Sequence, residues 1–268
     1  MLKDITLGQY FPGNSIAHKL DPRTKILLVT LYIIALFSAK GWMGYAVMAV
    51  TLAACVKVSH VGLRALVRGL KPLVFIIAFT GILNMFFIPD THYLWEWGIL
   101  RVSVKGIENA LFMVIRIMLL VMGTFLMTYT TSPIRLTDGL ESLLNPLKKI
   151  HVPVHELAMM MAIALRFIPT LIEETDKIMS AQKARGADFD SGNIFQKAKA
   201  LVPILVPLFI SAFRRADELA TAMECRCYHG GEGRTKLHVL KYQRRDYVAL
   251  TGGAVILALV VVLRRLGA

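Results

Sequence analysis

Cysteine is scarce. Cys55, Cys225 and Cys227 are the three in the chain, and two of them stand a single residue apart. That pattern excludes a disulfide framework and does not call for an oxidising compartment. Acid is also short: 18 Asp and Glu stand against 31 Lys and Arg, leaving a formal net charge of +13. From Lys57 to Lys71 the chain carries Lys57, Arg64, Arg68 and Lys71 and no acid at all. The N-terminal "MLKDITLGQYFPGNS" lacks a basic region followed by an apolar run, so no cleavable signal is read there.

Catalytic motifs are missing too. "GQYFPGNS", residues 8 to 15, has the glycine spacing of a phosphate loop. Asn14, however, stands where a lysine must reach the phosphates, and Pro12 removes a backbone donor. "HELAM", from His155, lacks the second histidine of a helical zinc site. "CRCYH" offers Cys225, Cys227 and His229, at a spacing unlike the usual structural zinc sites. No serine, histidine and acid stand out as a triad. The expectation is no catalytic residue, no cofactor and no metal.

Apolar residues are what the chain has in quantity, 56% of it, and they run together. That pattern predicts an all-α integral membrane protein of about five transmembrane helices. The first run, residues 26–39, follows "LDPRTK", where Asp21 is a natural N-cap and Pro22 suits the first helical position. It is short for a span, and the flanking Lys25 and Lys40 can snorkel to lengthen it. Further spans are read at 42–58, 72–88, 107–130 and 246–268. Between the third and fourth, "PDTHYLWEWGILRVSVKG" has the turn residues and aromatics of an outer interfacial loop. Arg116 lies inside the fourth span, which is costly unless it faces a protein partner or water.

Residues 1–131 thus hold the N-terminal segment and four spans, 132–245 a charged helical region, and 246–268 the last span. Within 132–245, "LAMMMAIALRFIPTLI" contains Arg166 and Pro169, and "LVPILVPLFISAF" contains two prolines. Both read as helices lying against the membrane face rather than crossing it. The summed Lys/Arg bias puts this region and the N-terminus in the cytoplasm, and accounts for the basic charge without nucleic acid.

Two stretches of the charged region align. "ETDKIMSAQKARG" and "RADELATAMECRC" share an Asp nine residues before the arginine, at Asp176 and Asp217, and an Ala four before it, at Ala181 and Ala222. Each reads as the charged end of a helix that finishes on a lone arginine with small neighbours: Ala184, Arg185, Gly186 and Cys225, Arg226, Cys227. A helix C-terminus carries partial negative charge and unpaired carbonyls. An arginine there either caps its own helix or, on a tip slim enough to enter a groove, reaches a partner's carboxylate or helix end.

These residues carry a resemblance. The chain resembles the transmembrane (T) component of energy-coupling factor transporters, the ABC-type importers of bacteria and archaea. The likeness rests on "GQYFPGNSIAHKLDPRTK", on "ARG" at 184–186, and on "CRCYHGGEGRT" at 225–235. It departs from the family at Cys225, where alanine is common, and Cys227 stands where the first motif has glycine. The resemblance implies a cytoplasmic coupling-helix region between the fourth and fifth spans, in the cell membrane. It also implies three partners: two cytoplasmic ATPase subunits, one per arginine motif, and a small integral-membrane substrate-binding subunit. ATP and magnesium would then be bound by the ATPases, and vitamins or metal ions would be the cargo. Two rival readings are a membrane enzyme acting on a phosphorylated lipid, with Arg116, Asn84 and Asn109 lining a polar cavity, and a stand-alone secondary transporter. The second predicts ionisable residues deep in several spans, where Arg116 alone qualifies.

Overall fold

A computed structural model describes residues 10–87, 93–97, 100–187, 189, 193–231 and 239–266. The start of the N-terminal segment, Gly8 and Gln9, and the stretch 232–235 that follows the second arginine motif lie outside them. The described residues form two compact units, one within 8–142 and 240–268 and the other within 143–239.

The first unit is a helical bundle. A single turn, α1 (Ile16–Lys19), leads into α2 (Pro22–Ser38), α3 (Gly41–Ser59), α4 (Leu63–Leu70) and, through one 3₁₀ turn, α5 (Val74–Phe87). A two-stranded antiparallel ribbon, β1 (Tyr93–Trp97) and β2 (Leu100–Ser103), occupies the stretch read from sequence as a loop. Then follow α6 (Val104–Thr130), α7 (Pro133–Leu144) and, from the far end of the chain, α10 (Arg244–Arg265).

Asp21 caps α2 as its type predicts, its Oδ1 accepting from the Arg23 N–H at 2.9 Å, with Pro22 at the helix start. The start of α10 is tied to the same place. Asp246 accepts from the Gln243 N–H at 2.7 Å through Oδ2, closing a capping box, and from the Asp21 N–H at 2.9 Å through Oδ1. One buried carboxylate thereby serves the N-terminal ends of two helices. Lys25 does not snorkel. Its side chain is buried, and Nζ donates to the Thr130 carbonyl (2.8 Å) and the Thr131 hydroxyl (3.0 Å), capping the C-terminus of α6. Lys40 is exposed, as expected of a flanking lysine.

The core joins Leu36 and Ala39 with Met48, Leu52 and Val56, Leu119 and Tyr129, and Val260. Much of the apolar surface points the other way: Val50, Phe75, Val248 and Val255 are more than half exposed. Apolar side chains outside and polar ones such as Thr24 and Asp246 inside suit a solvent of lipid. Where α2 meets α6, backbones approach closely. A Cβ on Gly123 would come within 2.5 Å of the Tyr32 ring, whose hydroxyl donates to the Leu119 carbonyl at 3.0 Å.

The second unit is dominated by two helices of 31 residues each, α8 (Val154–Ala184) and α9 (Ile194–Glu224). Pro169 lies within α8, and Pro203 and Pro207 within α9, without ending either helix. Among the described residues, five helices are long and apolar enough to cross a membrane: α3, α4 joined to α5, α6, α8 and α10. Four of them match expected spans. The expected first span, α2, has 17 residues, and α8 qualifies by length and composition although its sequence reads as a helix lying on the membrane face.

Candidate functional site

The α8–α9 pair ends in two turns of one design. Arg185 is the C-cap of α8. Beyond it, the Gly186 N–H donates to the Lys183 carbonyl and the Ala187 N–H reaches back to the Gln182 carbonyl, both at 3.0 Å. This is the Schellman arrangement, in which the residue after the cap takes the left-handed conformation. Gly186 does so at φ 89°. In the α9 turn the Cys227 N–H donates to the Glu224 carbonyl at 2.8 Å and the Tyr228 N–H to the Met223 carbonyl at 3.1 Å. Cys227 stands at φ 55°.

Residue for residue, Ala184, Arg185 and Gly186 correspond to Cys225, Arg226 and Cys227. The match runs upstream: Ser180 Oγ donates to the Asp176 carbonyl and Thr221 Oγ1 to the Asp217 carbonyl, at 2.7 and 2.9 Å. The alignment drawn from the sequence is therefore also an alignment of backbone geometry. Small residues have a second reason to be here besides slimness. The turn needs a residue that tolerates positive φ after each arginine, and glycine does this at least cost.

All six residues are exposed. The backbone bonds of the two turns already satisfy C-terminal carbonyls that the arginines would otherwise cap. Among the described residues neither guanidinium has a hydrogen-bond or ion-pair partner. Each is a charged donor on a helix end, free to meet an acceptor from outside.

Between the tips, α8 and α9 run antiparallel. Gln182 Nε2 donates to the Pro203 carbonyl at 3.5 Å. Farther along, Glu174 accepts from Arg215 Nη2 at 2.8 Å and from the Ser211 hydroxyl. Farther still, Ile163, Phe167 and Leu171 share an open apolar groove with Leu219, Ala220 and Met223. Arg185 and Arg226 thus sit at opposite ends of the pair, on the order of 40 Å apart at 1.5 Å of rise per residue. Sequence reasoning missed the Glu174–Ser211–Arg215 tie. Its members lie on different helices, so no local spacing announces it.

Among the described residues no three His, Cys, Asp or Glu side chains group closely enough to hold a metal ion. Arg116, Asn84 and Asn109 do come together, with Lys40 and Tyr45, around one pocket at the end of the bundle where α2 turns into α3. Among the described residues no carboxylate lines it.

Comparison with known proteins assigns the chain to a family. The family model CbiQ, described as cobalt transport protein, matches residues 13–237. The energy-coupling factor transporter transmembrane protein EcfT of Ruminiclostridium cellulolyticum is 55% identical over 256 residues, covering 96% of this chain and 95% of that protein. EcfT of Acidaminococcus fermentans is 56% identical over 266 residues, 98% of this chain and 97% of that one. EcfT of Bacillus subtilis is 46% identical over 264 residues, 98% and 100% of the two chains. Identity at this level along nearly the whole length, on a helical membrane fold, makes the chain a member of the family of transmembrane (T) components of energy-coupling factor transporters.

Proposed function

We infer that the chain is the coupling subunit of an ABC-type importer, passing ATP-driven movement of two cytoplasmic ATPase subunits to a membrane substrate-binding subunit. The observation that carries this is the pair of matched turns, each presenting an exposed arginine, Arg185 and Arg226, at opposite ends of α8 and α9. A separation on the order of 40 Å is too wide for one small patch and suits one docking point on each of two ATPases. Each tip offers a planar, charged donor on a slim end, which fits a groove holding a carboxylate or a helix terminus.

The stiff pair then works as a lever. Closing of the ATPase dimer on ATP moves the tips, and the apolar first halves of both helices carry the motion to the substrate subunit. Met160 and Met161 on α8, and Leu205, Phe209 and Phe213 on α9, leave apolar surface uncovered for such a contact. The chain itself is non-catalytic, with ATP and magnesium held by the ATPases. The N-terminus and α8–α9 lie in the cytoplasm of a bacterial or archaeal cell, a placement that the basic run from Lys57 to Lys71 supports. Vitamins or metal ions are the cargo, selected by the separate subunit.

The test is recovery of the tagged chain from its own membranes with every retained partner identified by mass. One or two kinds of ATPase with a small hydrophobic protein bear the reading out. The chain alone, in a detergent that keeps other membrane complexes together, refutes it.

A further inference from the structure

The pocket around Arg116 is unrelated to the arginine tips, and its chemistry is that of an anion site. Its volume is about 510 Å³. Two cationic side chains, Lys40 and Arg116, line it with two amides, Asn84 and Asn109, and the hydroxyl-bearing Tyr45. Arg116 is held rather than mobile. Nε and Nη2 donate to the Tyr45 hydroxyl at 2.9 and 2.6 Å, and the guanidinium carbon lies 5.7 Å from the centroids of both the Phe37 and Tyr45 rings. Tyr45 is itself fixed, 4% exposed and stacked on Phe112.

These contacts orient the charge without neutralising it. The remaining partner of Arg116 is the Met113 thioether, 3.8 Å from Nη1, and among the described residues no carboxylate pairs with it. The donors of a guanidinium outnumber the acceptors this site provides. The Lys40 ammonium and the Asn109 amide are exposed, and among the described residues neither side chain has a hydrogen-bond partner. Among the described residues a preset guanidinium, a second cation and the free Asn109 amide converge without a carboxylate, beside Asn84, whose Nδ2 also donates to the Thr80 carbonyl at 2.9 Å.

The pocket's position says what could supply the negative charge. Lys40 is the residue before α3 and Tyr45 lies about one turn inside, so the mouth of the pocket is at the end of a helix long and apolar enough to cross a membrane, near headgroup level, with Arg116 reaching it from deeper in α6. Its flanks are apolar and outward-facing: Phe37, Trp42 and Met43 are 59%, 56% and 61% exposed. Tryptophan at this level is the usual interfacial anchor. A phosphate in the pocket would have acyl chains running beside these side chains. We propose that Arg116, Lys40, Asn84 and Asn109 form a binding site for the phosphate of an anionic phospholipid in the leaflet at the α2–α3 turn.

The experiment is lipid titration of the full chain, purified with whatever partners it retains and stripped of native lipid. Phosphatidylglycerol, phosphatidylcholine and inorganic phosphate are the probes, and bound molecules are counted by native mass spectrometry. The expected result is saturable binding of phosphatidylglycerol at least tenfold tighter than of phosphatidylcholine. R116Q should weaken it about tenfold or more. K40Q, at an exposed side chain whose loss leaves the fold intact, should weaken it severalfold.

Equal binding of the two lipids, or unchanged phosphatidylglycerol binding in K40Q and R116Q, overturns the proposal. Displacement of the lipid by inorganic phosphate below millimolar concentration overturns the lipid as the source and assigns the site to a soluble anion. Loss of a co-purifying subunit in both variants, with lipid binding unchanged, overturns it in favour of a protein carboxylate.

Discussion

Cys227 stands in the left-handed position that Gly186 holds in the matching turn, at φ 55° against 89°. A side chain at that position strains the backbone by about 1–2 kcal/mol, because Cβ crowds the carbonyl oxygen. The strain is tolerated because the two reverse-turn bonds to Glu224 and Met223 hold the chain there. Replacement of Cys227 by glycine should therefore stabilise the α9 turn by about 1 kcal/mol. Gly186→Val should destabilise the α8 turn by a similar or larger amount. Thermal unfolding of the two variants in one detergent measures both signs, and a destabilising Cys227→Gly would contradict the assignment.

Asp246 is 2% exposed and accepts from two backbone N–H groups on two helix starts. Asp246→Ala leaves both donors without their acceptor, at a cost of about 3 kcal/mol. Asp246→Asn keeps one acceptor oxygen and should lose roughly half as much. The ordering Ala worse than Asn, read by thermal unfolding, is the check. A reversed order would mean that packing rather than hydrogen bonding holds the site.

Gly123 lets α6 approach Tyr32 of α2. Adding a methyl places carbon 2.5 Å from the ring, well inside contact distance, so Gly123→Ala should cost about 1–3 kcal/mol by overpacking. Combined with Tyr32→Leu, which opens the contact, the penalty should shrink. Non-additivity in that double-mutant cycle is the measurement. Additive losses would show that the two residues do not share the contact.

The Glu174–Ser211 contact tests motion rather than stability. Both side chains are part-exposed, and the neighbouring Glu174–Arg215 ion pair, with side chains 22% and 35% exposed, is worth about 1 kcal/mol or less. Cysteines at 174 and 211, whose side chains meet across the pair, are the sites for an oxidative cross-link, its formation checked first by loss of free thiol. If α8 and α9 must shift against each other, the oxidised protein keeps its partners but loses transport, and reductant restores it. Undiminished transport in the oxidised form would show that the pair moves as one rigid piece.

Much of this architecture can be read from residue pattern alone. The α2 start was legible because a capping Asp and an N1 Pro are local signals, and the repeat because Asp176/Asp217 and Ala181/Ala222 keep step with the arginines. The direction of Lys25 was not. A lysine flanking an apolar run has two outlets, water or a neighbouring helix end, and only tertiary packing against Thr130 decides between them. The two proline-containing stretches read as helices from sequence, and Pro169, Pro203 and Pro207 each lie within a long helix. The β1–β2 ribbon was hidden by turn residues and aromatics, which suit an interfacial loop as well as a strand. The meeting of Arg116 with Tyr45 joins positions far apart in sequence, which spacing cannot show.

The most direct test of the central claim is charge reversal at both tips, Arg185→Glu with Arg226→Glu, followed by ATPase retention on the purified protein. The account predicts that the double variant reaches the membrane in normal amount, because both side chains are exposed and support no internal contact among the described residues. It should lose the ATPases and coupled ATP hydrolysis. Normal ATPase retention and normal uptake in that variant would contradict the account.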